Sequence, residues 1–127
     1  MQGQHRYETG LGSAFIGQGN LGNITDLVAG FEIDFDNGAI TNGNLFLQMA
    51  DQSWSVDFAG NIVNGVVDLN TNSGQITSGA SLISNSVDAS LGGAFTGSAA
   101  ESFVGGFEML DAMNPLNHVN GLFTIER

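Results

Sequence analysis

The chain has 127 residues, 42% of them apolar, which is enough for one domain with a modest core and argues against disorder. Thirteen acidic residues stand against only Arg6 and Arg127, and the formal net charge of −11 excludes nucleic acid and anionic membrane surfaces as natural partners. The absence of cysteine excludes a disulfide scaffold, a thiolate zinc site and a thiol nucleophile.

The start, "MQGQHRYETG", has no basic stretch followed by an apolar core, so it predicts no signal peptide. No apolar run approaches the roughly 20 residues that a membrane-spanning helix needs. A first strand is expected near Arg6 to Gly12, then a long loop from Ser13 to Asp26. Residues 1–26 are therefore read as an N-terminal segment and 27–127 as the body of one domain.

"GFEIDFD" places Phe31, Ile33 and Phe35 on one face and Glu32, Asp34 and Asp36 on the other, the pattern of a half-buried antiparallel strand. Asp36-Asn37-Gly38 then predicts a hairpin turn, because Asn and Gly tolerate positive φ. "NLFLQM" turns Leu45, Leu47 and Met49 inward and Phe46 outward. After a turn at Asp51-Gln52, "SWSVDF" turns Trp54, Val56 and Phe58 inward. A turn at Ala59-Gly60-Asn61 leads into "IVNGVVDLN", where Val63, Gly65, Val67 and Leu69 share a face. Thr71 to Ser84 reads as a polar loop with at most a short strand around Ile76.

Three strands close the chain. Their inward series are Val87, Ala89, Leu91, Gly93, Phe95; then Phe103, Gly105, Phe107, Met109; then Val119, Gly121, Phe123, Ile125. Short strands at close spacing, joined as a meander, predict an all-β fold: a single closed eight-stranded antiparallel up-and-down β-barrel. In such a barrel a glycine leaves a hollow into which a facing phenylalanine fits. Gly93 with Phe95, Gly105 with Phe107 and Gly121 with Phe123 are read as that packing, with Trp54 as a further interior anchor. A filled interior puts function on loops or on the outer face.

Few residues carry chemistry. His5 and His118 are isolated, and no serine sits in a G-x-S-x-G elbow, so neither a zinc site nor a serine hydrolase is selected. Glu32, Asp34 and Asp36 are spaced along a strand exterior, and "DFDNGAITNGN" lacks the ligand positions of a helix-loop-helix calcium site. "GQGNLG" lacks the lysine of a phosphate loop. The reading is therefore non-enzymatic, with no catalytic residue, no metal and no cofactor. Phe46, Ile62 and Val66 are the candidate outer apolar patch, for a protein partner or a neighbouring domain of a longer chain.

The segment "LGGAFTGSAAESFVGGFEM" with "VNGLFTIER" resembles the closing strands of the eight-stranded barrels in the transferrin-binding protein B family. The residues that carry the resemblance are Gly93, Phe95, Gly97, Ala100, Glu101, Gly105, Gly106, Phe107, Gly121 and Phe123. "WSVDFAGNIVNGVVDL" is similar to the hairpins before that motif, and barrels of this kind also occur as C-terminal modules of bacterial envelope proteins, some described as FecR-like. The resemblance implies a binding or display module of a bacterial cell-envelope or surface protein, periplasmic or outward-facing, recognising a protein partner through loops and outer face. The handle domains and anchoring cysteine of that family have no counterpart here, so iron acquisition does not follow. A lipocalin-like carrier of a small apolar ligand is the alternative, and it requires an interior cavity.

Overall fold

The computed structural model describes residues 3–10 and 13–127. Leu11 and Gly12, the end of the first expected strand, lie outside the described residues. Ten antiparallel strands follow in order: β1 (Gln4–Glu8), β2 (Ala14–Gly19), β3 (Gly22–Asp34), β4 (Ala39–Met49), β5 (Gln52–Val63), β6 (Val66–Ser78), β7 (Ser81–Ser84), β8 (Val87–Thr96), β9 (Ser102–Asp111) and β10 (Asn114–Glu126). The described residues contain no helix.

The all-β class agrees with the sequence, but the single closed eight-stranded barrel does not. Backbone ladders close a ring of four strands only: β3 to β1, β1 to β10, β10 to β2 and β2 back to β3, with six strands outside it. The reason lies in how β1 and β2 share one lane. β1 lies along the C-terminal part of β3, with Gln4 opposite Asp34 and Glu8 opposite Gly30. β2 runs instead along β10, with Ala14 opposite Thr124 and Gly19 opposite Val119. It meets β3 only through Gln18 and Gly19. From this ring the sheet extends through β4, β5, β6 and β7 on one side and through β9 and β8 on the other. β6 and β8 come side by side, but no ladder joins them.

Two expected loops are largely strand. Ser13 to Asp26 holds β2 and the start of β3, and Thr71 to Ser84 holds the second half of β6 and all of β7. In Asp111 to Asn117 only Ala112 and Met113 turn, and the register of β10 then shifts between Asn114 and His118. That bulge accommodates Pro115, which has no N–H for a ladder. Glycine and polar residues interrupt the apolar alternation in these segments, so they do not read as strands.

The turn expected at Ala59-Gly60-Asn61 is also displaced. β5 runs through it, and the chain reverses at Asn64-Gly65, where φ is 53° and 79°. The preference for Asn-Gly where φ is positive outweighs the flexibility of Ala-Gly-Asn. Gly60 serves close approach instead, since a Cβ there would overlap the carbonyl oxygen of Asp68 on β6.

The core is aromatic and aliphatic. Tyr7, Phe31, Ile33, Leu45, Leu47, Met49, Trp54, Ile76, Phe103 and Ile125 are among its buried side chains. Tyr7 stacks on Phe31 at 5.3 Å between centroids, and Phe31 meets Phe103 edge-on at 5.0 Å. Each buried ring contributes about 2–3 kcal/mol through the apolar area it removes from water.

Candidate functional site

The glycine and phenylalanine residues singled out in the sequence meet across β9 and β10. Gly105 lies opposite Phe123, and Phe107 lies opposite Gly121. Two Gly-x-Phe units running antiparallel must pair in this reciprocal way once one glycine faces one ring. A Cβ on Gly105 would overlap the Phe123 ring, and one on Gly121 would stand 2.9 Å from Phe107 Cζ. Gly93 behaves differently: it lies opposite Gly105, and the hollow it leaves is taken by Phe103, two residues along β9. Phe95 faces Phe103 and joins the rings of Tyr7, Phe31 and Phe35. Trp54 is wholly buried, and its indole N–H has no hydrogen-bond partner among the described residues.

The three proposed patch residues are not brought together. Phe46, 37% exposed, lies opposite Val28 on β3 and Ser55 on β5. Val66, 64% exposed, sits at the far tip of the β5–β6 hairpin beside Val63. Ile62 turns inward and packs against the core, because the uninterrupted β5 places it on the same face as Trp54, Val56 and Phe58. The apolar outer pair at mid-sheet is therefore Val28 and Phe46.

A larger outer face was missed. Gly92, Gly106, Leu122 and Ile16 form one cross-strand row over β8, β9, β10 and β2. The next row is Ala94, Val104, Thr124 and Ala14. Ile16 is 71% exposed, Leu122 57% and Val104 38%. The two glycines leave bare backbone beside Leu122, and a groove of about 490 Å³ runs over Gly92, Gly106 and Leu122. Period-two alternation held the signal in β9 and β10, where Val104 and Leu122 stand out of phase with the inward set. Ile16 carries no such signal, because Gly17 and Gly19 break the alternation of β2.

Next to this face the surface becomes polar. A groove of about 530 Å³ is lined by Thr71, Asp88, Ser90, Glu108, His118 and Asn120, among others. His118 is exposed there, opposite Leu110, and its backbone N–H donates to Asn20 Oδ1 at 2.9 Å. Among the described residues no group of three or more His, Asp or Glu side chains is placed to hold a metal ion. Glu32, from the acidic strand exterior, accepts from Asn42 Nδ2 at 3.1 Å and faces Arg6 Nη1 at 3.7 Å.

The β8–β9 turn carries the other residues of the motif. Gly97 has φ 91°, and the Glu101 carboxylate folds over it where a Cβ would stand. That carboxylate accepts from the Ala99 N–H at 3.0 Å, and backbone N–H donation at Glu101 and Ala99 holds its pKa below the ordinary carboxylate value. The Tyr7 hydroxyl donates to the Ala100 carbonyl, and Arg127 Nη2 donates to the Ala99 carbonyl at 2.8 Å. Burial pushes the Tyr7 pKa up, the Arg127 charge opposes this, and the Glu101 charge adds to it. The turn is thus tied to β1 and to the chain terminus.

Among the described residues no helix is long and apolar enough to cross a membrane. No protein-family model and no curated protein matches this chain.

Proposed function

We propose that the chain is a non-enzymatic binding module of a bacterial cell-envelope protein, on the outer surface or in the periplasm, that recognises a protein partner through its outer sheet face. The reading rests on one observation: the exposed apolar rows built around Ile16, Leu122 and Val104. Side chains of this kind gathered on one face, beside bare glycine backbone, offer a flat surface on which a partner excludes water. The interior is filled by the rings described above, which favours this reading over the carrier of a small apolar ligand. The resemblance to transferrin-binding protein B barrels points the same way for compartment and role, through the Gly97-Ala100-Glu101 turn and the Gly-x-Phe strands.

The test is affinity capture from envelope and host-surface extracts with the wild-type chain and with Leu122→Asp. Both variants should fold alike by circular dichroism, since Leu122 points outward. A protein retained by the wild type and lost with Leu122→Asp is the expected result. Capture unaffected by Leu122→Asp contradicts the assignment of this face, and a small apolar molecule co-purifying at one equivalent supports the carrier instead.

A further inference from the structure

The two ends of the hydrogen-bonded sheet lie against each other without pairing. β8 ends it on one side and the β6–β7 hairpin on the other. β6 and β8 run side by side, and near Gly74 they are in contact, since an added Cβ there would stand 3.0 Å from Val87 Cβ. β7 covers the edge of β6 only from Ile76 to Ser78. From Val66 to Gln75, β6 pairs with β5 alone, and β8 pairs with β9 alone. Each strand therefore presents a free row of N–H and C=O groups to the seam, a form of edge that accepts a further strand.

The side chains along the seam say what kind of strand fits. On the inner side, Val67, Leu69, Val87, Ala89, Leu91 and Phe95 pack on the core yet remain half-exposed. Their counterparts on β9 and β10, such as Phe103, Met109, Val119 and Ile125, are buried. The apolar interior is thus less covered along this seam than under the neighbouring β9 and β10. On the outer side, Asp68 and Asp88 stand exposed on the two seam strands, and Glu108 lies opposite Ser90 one strand further on. The groove that holds Asp88 and Glu108 reaches across the seam to Thr71 of β6. The only two basic residues of the chain are elsewhere: Arg6 pairs with Glu8 and Glu32, and Arg127 is held by Ala99 and His5.

We propose that the β6–β8 seam is a strand-addition site for an extended segment of a partner protein that alternates apolar and basic side chains. Its backbone completes the two free edges. Its apolar side chains cover Val67, Leu69, Leu91 and Phe95, and its lysine or arginine side chains face Asp68, Asp88 and Glu108. The period of two along a strand puts the two kinds of side chain on opposite faces. Because neighbouring strands stand about 4.8 Å apart, a strand that enters must spread β6 from β8, starting from the end away from Gly74 and Val87. A second copy of this chain is the poorer occupant, since two chains of net charge −11 repel. This inference rests on the binding-module reading and names the chemistry of the partner.

The test uses the full chain and a synthetic peptide of about ten residues alternating valine and lysine, a length that matches an ordinary strand. Binding is followed by calorimetry, and the site is read from amide hydrogen exchange. The expected result is new protection of amides in 66–75 and 88–96. Methylating alternate backbone nitrogens of the peptide, or sorting its residues into a valine block and a lysine block, should abolish binding. Asp68→Asn combined with Asp88→Asn should weaken it by about tenfold, as befits two charge-assisted contacts. Equal binding of the methylated or block peptide overturns the proposal, as does protection confined to the Ile16–Leu122 face. Protection of both edges in the free chain that grows with protein concentration also overturns it, in favour of a second copy. Leu122→Asp separates the two readings. If it abolishes partner capture while the alternating peptide leaves the seam amides unprotected, the strand-addition proposal fails and the outer-face reading stands. If capture survives Leu122→Asp and the peptide protects the seam, only the outer-face reading fails.

Discussion

At Gly105 the ring of Phe123 occupies the space that a side chain would need, and Gly121 makes the matching room for Phe107. Gly105→Ala should therefore destabilise the chain by about 1–3 kcal/mol through overpacking, and Phe123→Ala by about 3–5 kcal/mol through the void it leaves. The two sites are coupled. Gly105→Ala introduced together with Phe123→Leu should cost less than the sum of the single changes, measured by urea unfolding; strict additivity would show that ring and glycine do not share one space. Tyr7 gives a second prediction. Its folded pKa is raised by burial, so the neutral phenol is favoured in the folded state. Its contribution is fully present below the unfolded value near 10 and is lost as pH rises through the folded pKa. Tyr7→Phe should lose about 1 kcal/mol at neutral pH, with the bond to the Ala100 carbonyl, and should lack that part of the alkaline destabilisation. Glu101 has the opposite sign: its pKa is lowered, so its stabilisation is present above the ordinary carboxylate value and fades as the solution is acidified. The meeting of Gly105 and Gly121 with facing rings was legible, because the spacing of two residues recurs on β9 and β10, whereas Gly93 lies opposite Gly105. The tie from Tyr7 to Ala100 was not, since nothing local in "HRYET" signals a partner 93 residues away.

At the scale of elements, the strands with strict alternation were readable and the polar ones were not. Phe31, Ile33, Leu45, Leu47, Met49, Trp54, Val56 and Phe58 all lie in the core, as their alternation requires. β2 and the second half of β6 do not read as strands because Gly17, Gly19, Thr71 and Gly74 interrupt the inward series to which Phe15 and Ile76 belong. Strand pairing there is carried by backbone, with no hydrophobic pattern to announce it. Missing β2 also hid Ile16, and with it the outer apolar face. The misplaced reversal after β5 has a direct check. Gly65 needs φ near 79°, so Gly65→Val should cost about 1–2 kcal/mol for the left-handed backbone. No such loss is expected from Gly92→Ala, because an added Cβ there meets nothing within 4 Å. Differential scanning calorimetry of Gly65→Val and Gly92→Ala separates the two.

At the scale of the molecule, a net charge of −11 on a 127-residue chain makes self-repulsion a standing cost of folding. Screening should relieve it, so the melting temperature should rise between about 0.01 M and 0.5 M sodium chloride, over which the Debye length falls from about 30 Å to a few ångström. The sequence pointed to a closed barrel because counting strands cannot reveal whether the first and last edges meet. Here the lane between β3 and β10 is shared by two short strands, and the edges left over, on β6 and β8, face each other unpaired. The account of function depends on that architecture: a wall of glycine-seated rings under β9 and β10, and an unpaired seam beside it, between β8 and β6. Amide hydrogen exchange on the free chain tests it most directly. The account predicts slow exchange throughout β9, and alternate amides of β6 from 66 to 75 and of β8 exchanging ~100-fold faster or more, as expected for backbone groups without a ladder partner. Uniformly slow exchange across β6, β8 and β9 would contradict it, because the sheet would then be closed and the seam would have no edge to offer.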